Sequence, residues 1–202
     1  MRLVLTTGPT VEPVTTAEMK LHSRIDTDAD DAKIAMFITA AREYVENITG
    51  RQLINATYTM KLNMFPLGEF MELPKAPLGS VTSVQYSDTA NATQTFSSSN
   101  YTVDNSIDNY GRIIVDRGVG WPSTYSKLNA VTVVYVAGYG ATSASVPERY
   151  KQLILLIAAD WYENREGNVI GASAIQLPTA VKSLIENLKL RSAPNLYGMS
   201  GI

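Results

Sequence analysis

At Leu53 the spacing of apolar residues switches from that of a helix to that of a strand, and near Pro147 it switches back. Upstream, Ile34, Phe37, Ile38, Ala41, Tyr44, Val45 and Ile48 form one stripe at three- and four-residue intervals, the mark of an amphipathic helix, and Gly50 closes it. Beyond the switch, Ile54, Ala56, Tyr58, Met60, Leu62 and Met64 alternate with more polar neighbours, as a strand with one buried face requires. A chain patterned helix, sheet, helix has to pack both kinds of layer. The expected class is α+β: a helical core of about four helices with an inserted lobe that is either an antiparallel β-sheet or a small barrel.

Thr15 followed three residues later by Glu18 has the capping-box spacing and predicts a first helix running to about Ser23. Asp26, Asp28, Asp30 and Asp31 then precede the second helix, with Thr27 or Asp28 as its expected cap and the other acids complementing its N-terminal dipole. Residues 70–73, 81–86, 93–96, 101–103, 112–115 and 131–136 read as further strands, separated by Gly, Pro, Asn, Asp and Ser turns. Residues 87–100 and 118–129, the latter centred on Trp121-Pro122, read as a polar hairpin or loop and an extended loop that can reach a neighbouring molecule. Pro147 opens a third helix, which carries the apolar run 153–159, then Trp161 and Tyr162, and breaks at Gly167. After a loop to Leu177, Pro178 leads into a last helix with Val181, Leu184, Ile185 and Leu188 at helical spacing. The expected organisation is N-terminal core helices in 1–52, a β-rich lobe in 53–140, C-terminal core helices in 141–192 and a tail in 193–202.

The third helix is apolar nearly all round, so it has to be covered on several sides, by its own fold or by other subunits. In the second case Leu153, Leu156 and Trp161 supply an apolar subunit interface and Glu163 and Arg165 ionic contacts. The tail, with Leu196, Tyr197, Met199 and Ile202, either frays or orders on a partner.

Composition excludes several functions. No cysteine is present, which removes disulfides, thiolate metal sites and cysteine nucleophiles together and fits a reducing cytoplasm. The short Leu3-Val4-Leu5 cluster does not make a signal peptide, so secretion is not expected and the Asn-x-Ser/Thr triplets at Asn47, Asn55, Asn91 and Asn100 carry no weight. Residues 153–159 fall well short of the ~20 apolar residues that span a bilayer. A formal net charge of -2 argues against a dedicated nucleic-acid binder.

Catalytic and ligand-binding patterns fail in detail. The acids at 26–31 resemble a calcium loop, but its sixth position holds Asp31 in place of Gly and its twelfth Phe37 in place of Glu. Gly138-Tyr-Gly140 follows a strand, yet the third glycine of a dinucleotide loop is missing and no βαβ repeat follows. The single histidine, His22, has no triad or metal neighbourhood in the sequence. Glu163 and Glu166 beside Arg165 suit salt bridges better than acid-base work. No cofactor, metal or catalytic residue is expected.

As a set, several strings resemble the head-tail connector, or adaptor, proteins of tailed bacteriophages. They are Ala41-Arg-Glu-Tyr-Val-Glu-Asn-Ile-Thr-Gly-Arg-Gln-Leu53 and Leu73-Pro-Lys-Ala-Pro-Leu-Gly-Ser-Val-Thr-Ser-Val84. Glu12-Pro-Val-Thr15, Tyr135-Val-Ala-Gly-Tyr139, Val146-Pro-Glu148 and Trp161-Tyr-Glu-Asn-Arg165 agree in order, so that the resemblance spans about 10–190. It implies a structural protein of the virion, put together in the bacterial cytoplasm, in a ring of roughly twelve copies under the portal. Such a ring extends the DNA channel and receives the next connector or tail protein, while a mildly acidic charge lets DNA slide through without being gripped. The family also implies that the C-terminal tail engages the portal. Another neck or tail-completion protein is the alternative within this class, and a nucleotide-binding enzyme acting through Gly138 and Gly140 the alternative outside it.

Overall fold

A computed structural model of the chain describes residues 1–106, 110–164 and 179–189. Its elements in chain order are β1 (Arg2–Thr7), α1 (Thr16–Ser23), α2 (Asp31–Thr49), β2 (Ala56–Leu62), β3 (Phe70–Leu73), β4 (Leu78–Ser87), β5 (Thr93–Thr95), β6 (Tyr101–Asp104), β7 (Gly111–Val115), β8 (Val131–Ala137), α3 (Glu148–Glu163) and α4 (Thr179–Leu188). The described chain divides into two compact units. One, the β unit, takes Met1–Gly8 and Asn55–Tyr139; the other, the helical unit, takes Pro9–Ile54 and Gly140–Lys189.

The β unit holds a five-stranded sheet ordered β1-β2-β8-β4-β5 and a three-stranded sheet ordered β3-β7-β6, with every neighbouring pair antiparallel. Period two produces this directly: along β8, Val131, Val133, Tyr135 and Ala137 are buried while the residues between them are only half covered. Buried residues from both sheets, among them Met60, Met71, Val84, Ile113 and Val133, join in one core. Tyr135 lies stacked beside Tyr58 at 5.9 Å and donates its hydroxyl to the Pro74 carbonyl at 2.6 Å. Burial holds that phenol far above its ordinary pKa.

Two expectations are corrected in this unit. The small barrel is not formed: β1 and β5 end the longer sheet as separate edges, β3 and β6 end the shorter one, and no sheet closes among the described residues. Arg2–Thr7 was expected among the N-terminal helices, but it pairs with β2 from Arg2↔Lys61 to Leu5↔Tyr58. Its apolar run is too brief to show a period, so only the long-range partner reveals it as a strand.

In the helical unit, α1 has both halves of its capping box: the Thr15 hydroxyl accepts from the Glu18 amide at 3.1 Å and Glu18 accepts from the Thr15 amide at 2.7 Å. The apolar stripe of α2 buries Ile34, Ile38, Ala41 and Val45, and Gly50 ends the helix in the left-handed region at φ 75°. The N-cap position of α2 is held by Asp30, not Thr27 or Asp28, through its backbone carbonyl, which accepts from the Ile34 amide at 2.9 Å, and no side chain caps the helix there. Thr27 accepts from the Ala29 amide at 3.2 Å, and the Asp28 carboxylate pairs with Lys20, which also bonds Asp31 at 2.9 Å. The third helix starts after Pro147 as expected and ends at Glu163; the expected break at Gly167 and the loop to Leu177 lie outside the described residues. On α4, Val181, Ile185 and Leu188 are buried.

Candidate assembly surfaces

The string 41–53 is a structural clamp in the helical unit. Arg42 and Glu46, one turn apart on α2, are both buried, and Arg42 donates to Glu46 at 2.8 Å and to Glu12 at 2.7 Å. Glu46 also accepts from the Gln52 side chain at 2.7 Å and from the Leu53 amide at 3.0 Å, while Thr39 donates to Glu12 at 2.9 Å. Burial works against the Arg42 charge, but the bonds to Glu12 and Glu46 outweigh it and the guanidinium pKa is raised. Arg51 reaches across to the Leu188 carbonyl at 3.3 Å, with its guanidinium over the Tyr150 ring. These bonds join the approach to α1, the end of α2, α3 and the end of α4.

Burial separates the residues expected at a subunit interface. Leu153 is wholly buried in the core of its own unit, beside Ile154, Ile157 and Ala158. Leu156 and Trp161 are half-buried, and Trp161 sets its ring edge against Tyr44 of α2 at 5.8 Å. Glu163 is exposed as the last residue of α3. Tyr162 packs edge-on against Phe37 and donates to Asp30 at 2.8 Å. Arg165, Glu166, Leu196, Tyr197, Met199 and Ile202 lie outside the described residues.

Apart from Met1 and Leu5 at the N-terminal strand, the exposed large apolar side chains described in the β unit sit on two loops. Phe65 stacks on Trp121 at 4.8 Å, and Tyr86 and Phe96 close around the pair, so that these aromatics form a firm base. Trp121 donates to the Gly68 carbonyl at 2.9 Å and the Asn129 amide to the Asn63 side chain at 3.1 Å, which ties residues 116–129 to the turn between β2 and β3. Met64, Leu67, Val119, Tyr125 and Leu128 stand exposed on these tethered loops. The sequence pointed to 118–129 as a loop able to reach a neighbour, but it gave no sign that Met64 and Leu67 share its base. Proximity of 63 to 129 comes from sheet pairing, which local pattern does not reveal.

Sites weighed for chemistry find local explanations. At Gly138, with φ 139°, an added Cβ would stand 2.6 Å from the Asn55 backbone, and its amide is used by the Pro77 carbonyl at 2.9 Å. A Cβ on Gly140 would meet the Ser145 hydroxyl at 2.3 Å. Close packing therefore accounts for both glycines. His22 is exposed in the last turn of α1, and among the described residues no three His, Asp or Glu side chains converge closely enough to hold a metal ion. An open groove of about 530 Å³ in the helical unit is lined by Glu12, Thr15, Thr39, Thr142 and Ser143, but Glu12 is committed to Arg42 and Thr15 to its cap. Among the described residues no helix is long and apolar enough to cross a membrane.

A family described as phage gp6-like head-tail connector protein matches residues 14–114. No curated protein matches the chain. Among solved structures, the chain is similar to one in the neck of an empty gene transfer agent (GTA) particle computed with C6 symmetry, at 26% identity and TM-score 0.79, over 96% of this chain and 98% of that one. A chain of the native GTA virion matches at 26% identity and TM-score 0.77 with the same coverage. One from the native neck computed with C12 symmetry shares the fold at 24% identity and TM-score 0.71, again over 96% and 98%.

Proposed function

This chain belongs to the phage gp6-like head-tail connector family, and on that footing we propose that its copies form a ring beneath the portal, extend the DNA channel and dock the next connector or tail protein. It is a structural protein of the virion neck, and no reaction is assigned to it. The observation that carries the ring is the match to a neck protein over 96% of the chain, in a particle computed with C6 symmetry. Several features of the chain support it. Leu156 and Trp161 keep part of their surface open on α3, and the apolar tips at Met64, Leu67 and Leu128 suit contact with a second protein. A net charge of -2 provides little grip on phosphates passing through a channel. In this reading Leu156, Trp161, Glu163 and Arg165 serve the contact between copies, and the tail residues Leu196, Tyr197, Met199 and Ile202 serve the portal, as the family resemblance implies.

The test is the solution mass of the 22.0 kDa chain, alone and mixed with its cognate portal, by light scattering with negative-stain imaging. Rings, or a stable complex with portal, are the expected result, and truncation after Ser192 is expected to abolish the complex. A chain that stays monomeric and ignores portal would overturn the reading.

A further inference from the structure

The five-stranded sheet ends in two unlike edges, β1 and β5, and among the described residues each is paired on one side only, β1 to β2 and β5 to β4. Taking the ring reading above as its basis, we propose that the β1 edge of one copy pairs with the β5 edge of the next, so that the sheet continues from subunit to subunit.

An unpaired edge offers a row of free backbone donors and acceptors, and proteins that keep such edges solvated place Lys, Pro or inward charges on them. The β1 strand, Arg-Leu-Val-Leu-Thr-Thr, has a single charge, at its first residue, and no proline. Leu5 is 52% exposed although it lies opposite Tyr58, whose side chain is in the core. Regular pairing runs from Arg2 to Leu5 before the register shifts, so the straight part of the edge is short. Its counterpart is short too: β5 is Thr93–Thr95, exposed throughout and uncharged. β-branched threonines favour a strand, and neither edge carries a charge that would repel the other.

Direction and symmetry agree. Four successive antiparallel pairings across the sheet leave β1 and β5 pointing the same way. A closed ring relates each copy to the next by a rotation and uses two different patches per subunit, and two unlike ends of one sheet supply such a pair. With a modest rotation between copies the new pairing is parallel, a ladder slightly weaker than an antiparallel one but still specific. Leu5 lies on the core side of the sheet, opposite Tyr58, and Gln94 on the same side, opposite Tyr86, which pairs with Val131. Their side chains would therefore emerge on one face at the junction.

The absence of native cysteine makes the test clean. Full-length chains carrying L5C, Q94C or both, each at an exposed position, are assembled into rings in solution or on portal and treated with a short bismaleimide. A covalent ladder extending past the dimer in the double variant, with only monomer in each single variant, is the expected result. Rings of normal mass that give no ladder would overturn the pairing while leaving the ring intact. Dimers from L5C alone would overturn it in favour of a two-fold contact. If the unsubstituted chain forms no ring under either condition, the ring reading fails and the inference falls with it.

Discussion

Arg42 shows how a family motif can be conspicuous in a sequence and structural in function. Its partner Glu46 sits four residues on, a spacing usually credited with a few tenths of a kcal/mol on a solvated helix surface. Here both side chains are buried, and Glu12 and Gln52 complete a network that local spacing does not show. Removing one member strands the others without water. R42M is expected to lower unfolding free energy by about 3–5 kcal/mol, the usual cost of leaving a buried charge unpaired. In R42M/E46Q the stranded charge on α2 is removed as well, and the double variant should cost less than the two single ones added together. Denaturant midpoints of the three variants measure this, and a loss below about 1 kcal/mol for R42M would mean that solvent replaces the lost partner.

At the scale of elements, the strands and helices whose period is long were legible, because the core face repeats often enough to be read. β2, β8, α2 and α3 are of this kind. β1 was not legible, since an edge strand of this length owes its existence to β2. The cap of α1 was readable as Thr15 and Glu18, and its reciprocal bonds are present. The cap of α2 was misplaced because four aspartates crowd the turn and sequence does not say which of them Lys20 takes. T15A is expected to cost about 1 kcal/mol by removing the cap. The same cap makes stability depend on acid. The Thr15 amide, then its hydroxyl, hold the Glu18 carboxyl below its ordinary value, and Gln94 with the Ala92 amide does the same for Asp88 in the β4–β5 turn. The unfolded chain therefore takes up these protons first as pH falls. Their stabilisation is full above the ordinary carboxylate range and drains as pH drops through the lowered native values. Denaturant midpoints from pH 7 to pH 2 should show E18Q, which has no carboxyl to protonate, with a shallower acid loss than the parent chain, and parallel curves would remove Glu18 from the account.

For the whole molecule, sequence conveyed the order helix, sheet, helix but not which apolar surface belongs to the core and which to a neighbour. Apolar residues all round a helix have the same appearance in either case. The structure divides them: Leu153 is enclosed within its own unit, whereas Leu156 keeps an open flank near Ala159 and the exposed Glu163. An aspartate at 153 would lie among Ile154, Ile157 and Ala158 with no partner and would have to be desolvated, so L153D is expected to unfold the helical unit. An aspartate at 156 can turn to water in the isolated chain, but in a ring that uses this flank it would be trapped between subunits. L156D should therefore keep the circular dichroism and melting behaviour of a folded monomer while light scattering shows that assembly is lost. If L156D forms rings of normal mass, α3 does not carry the contact between copies, and the sheet edges and tethered loops of the β unit have to bear it; if L156D unfolds like L153D, the flank belongs to the helical core instead.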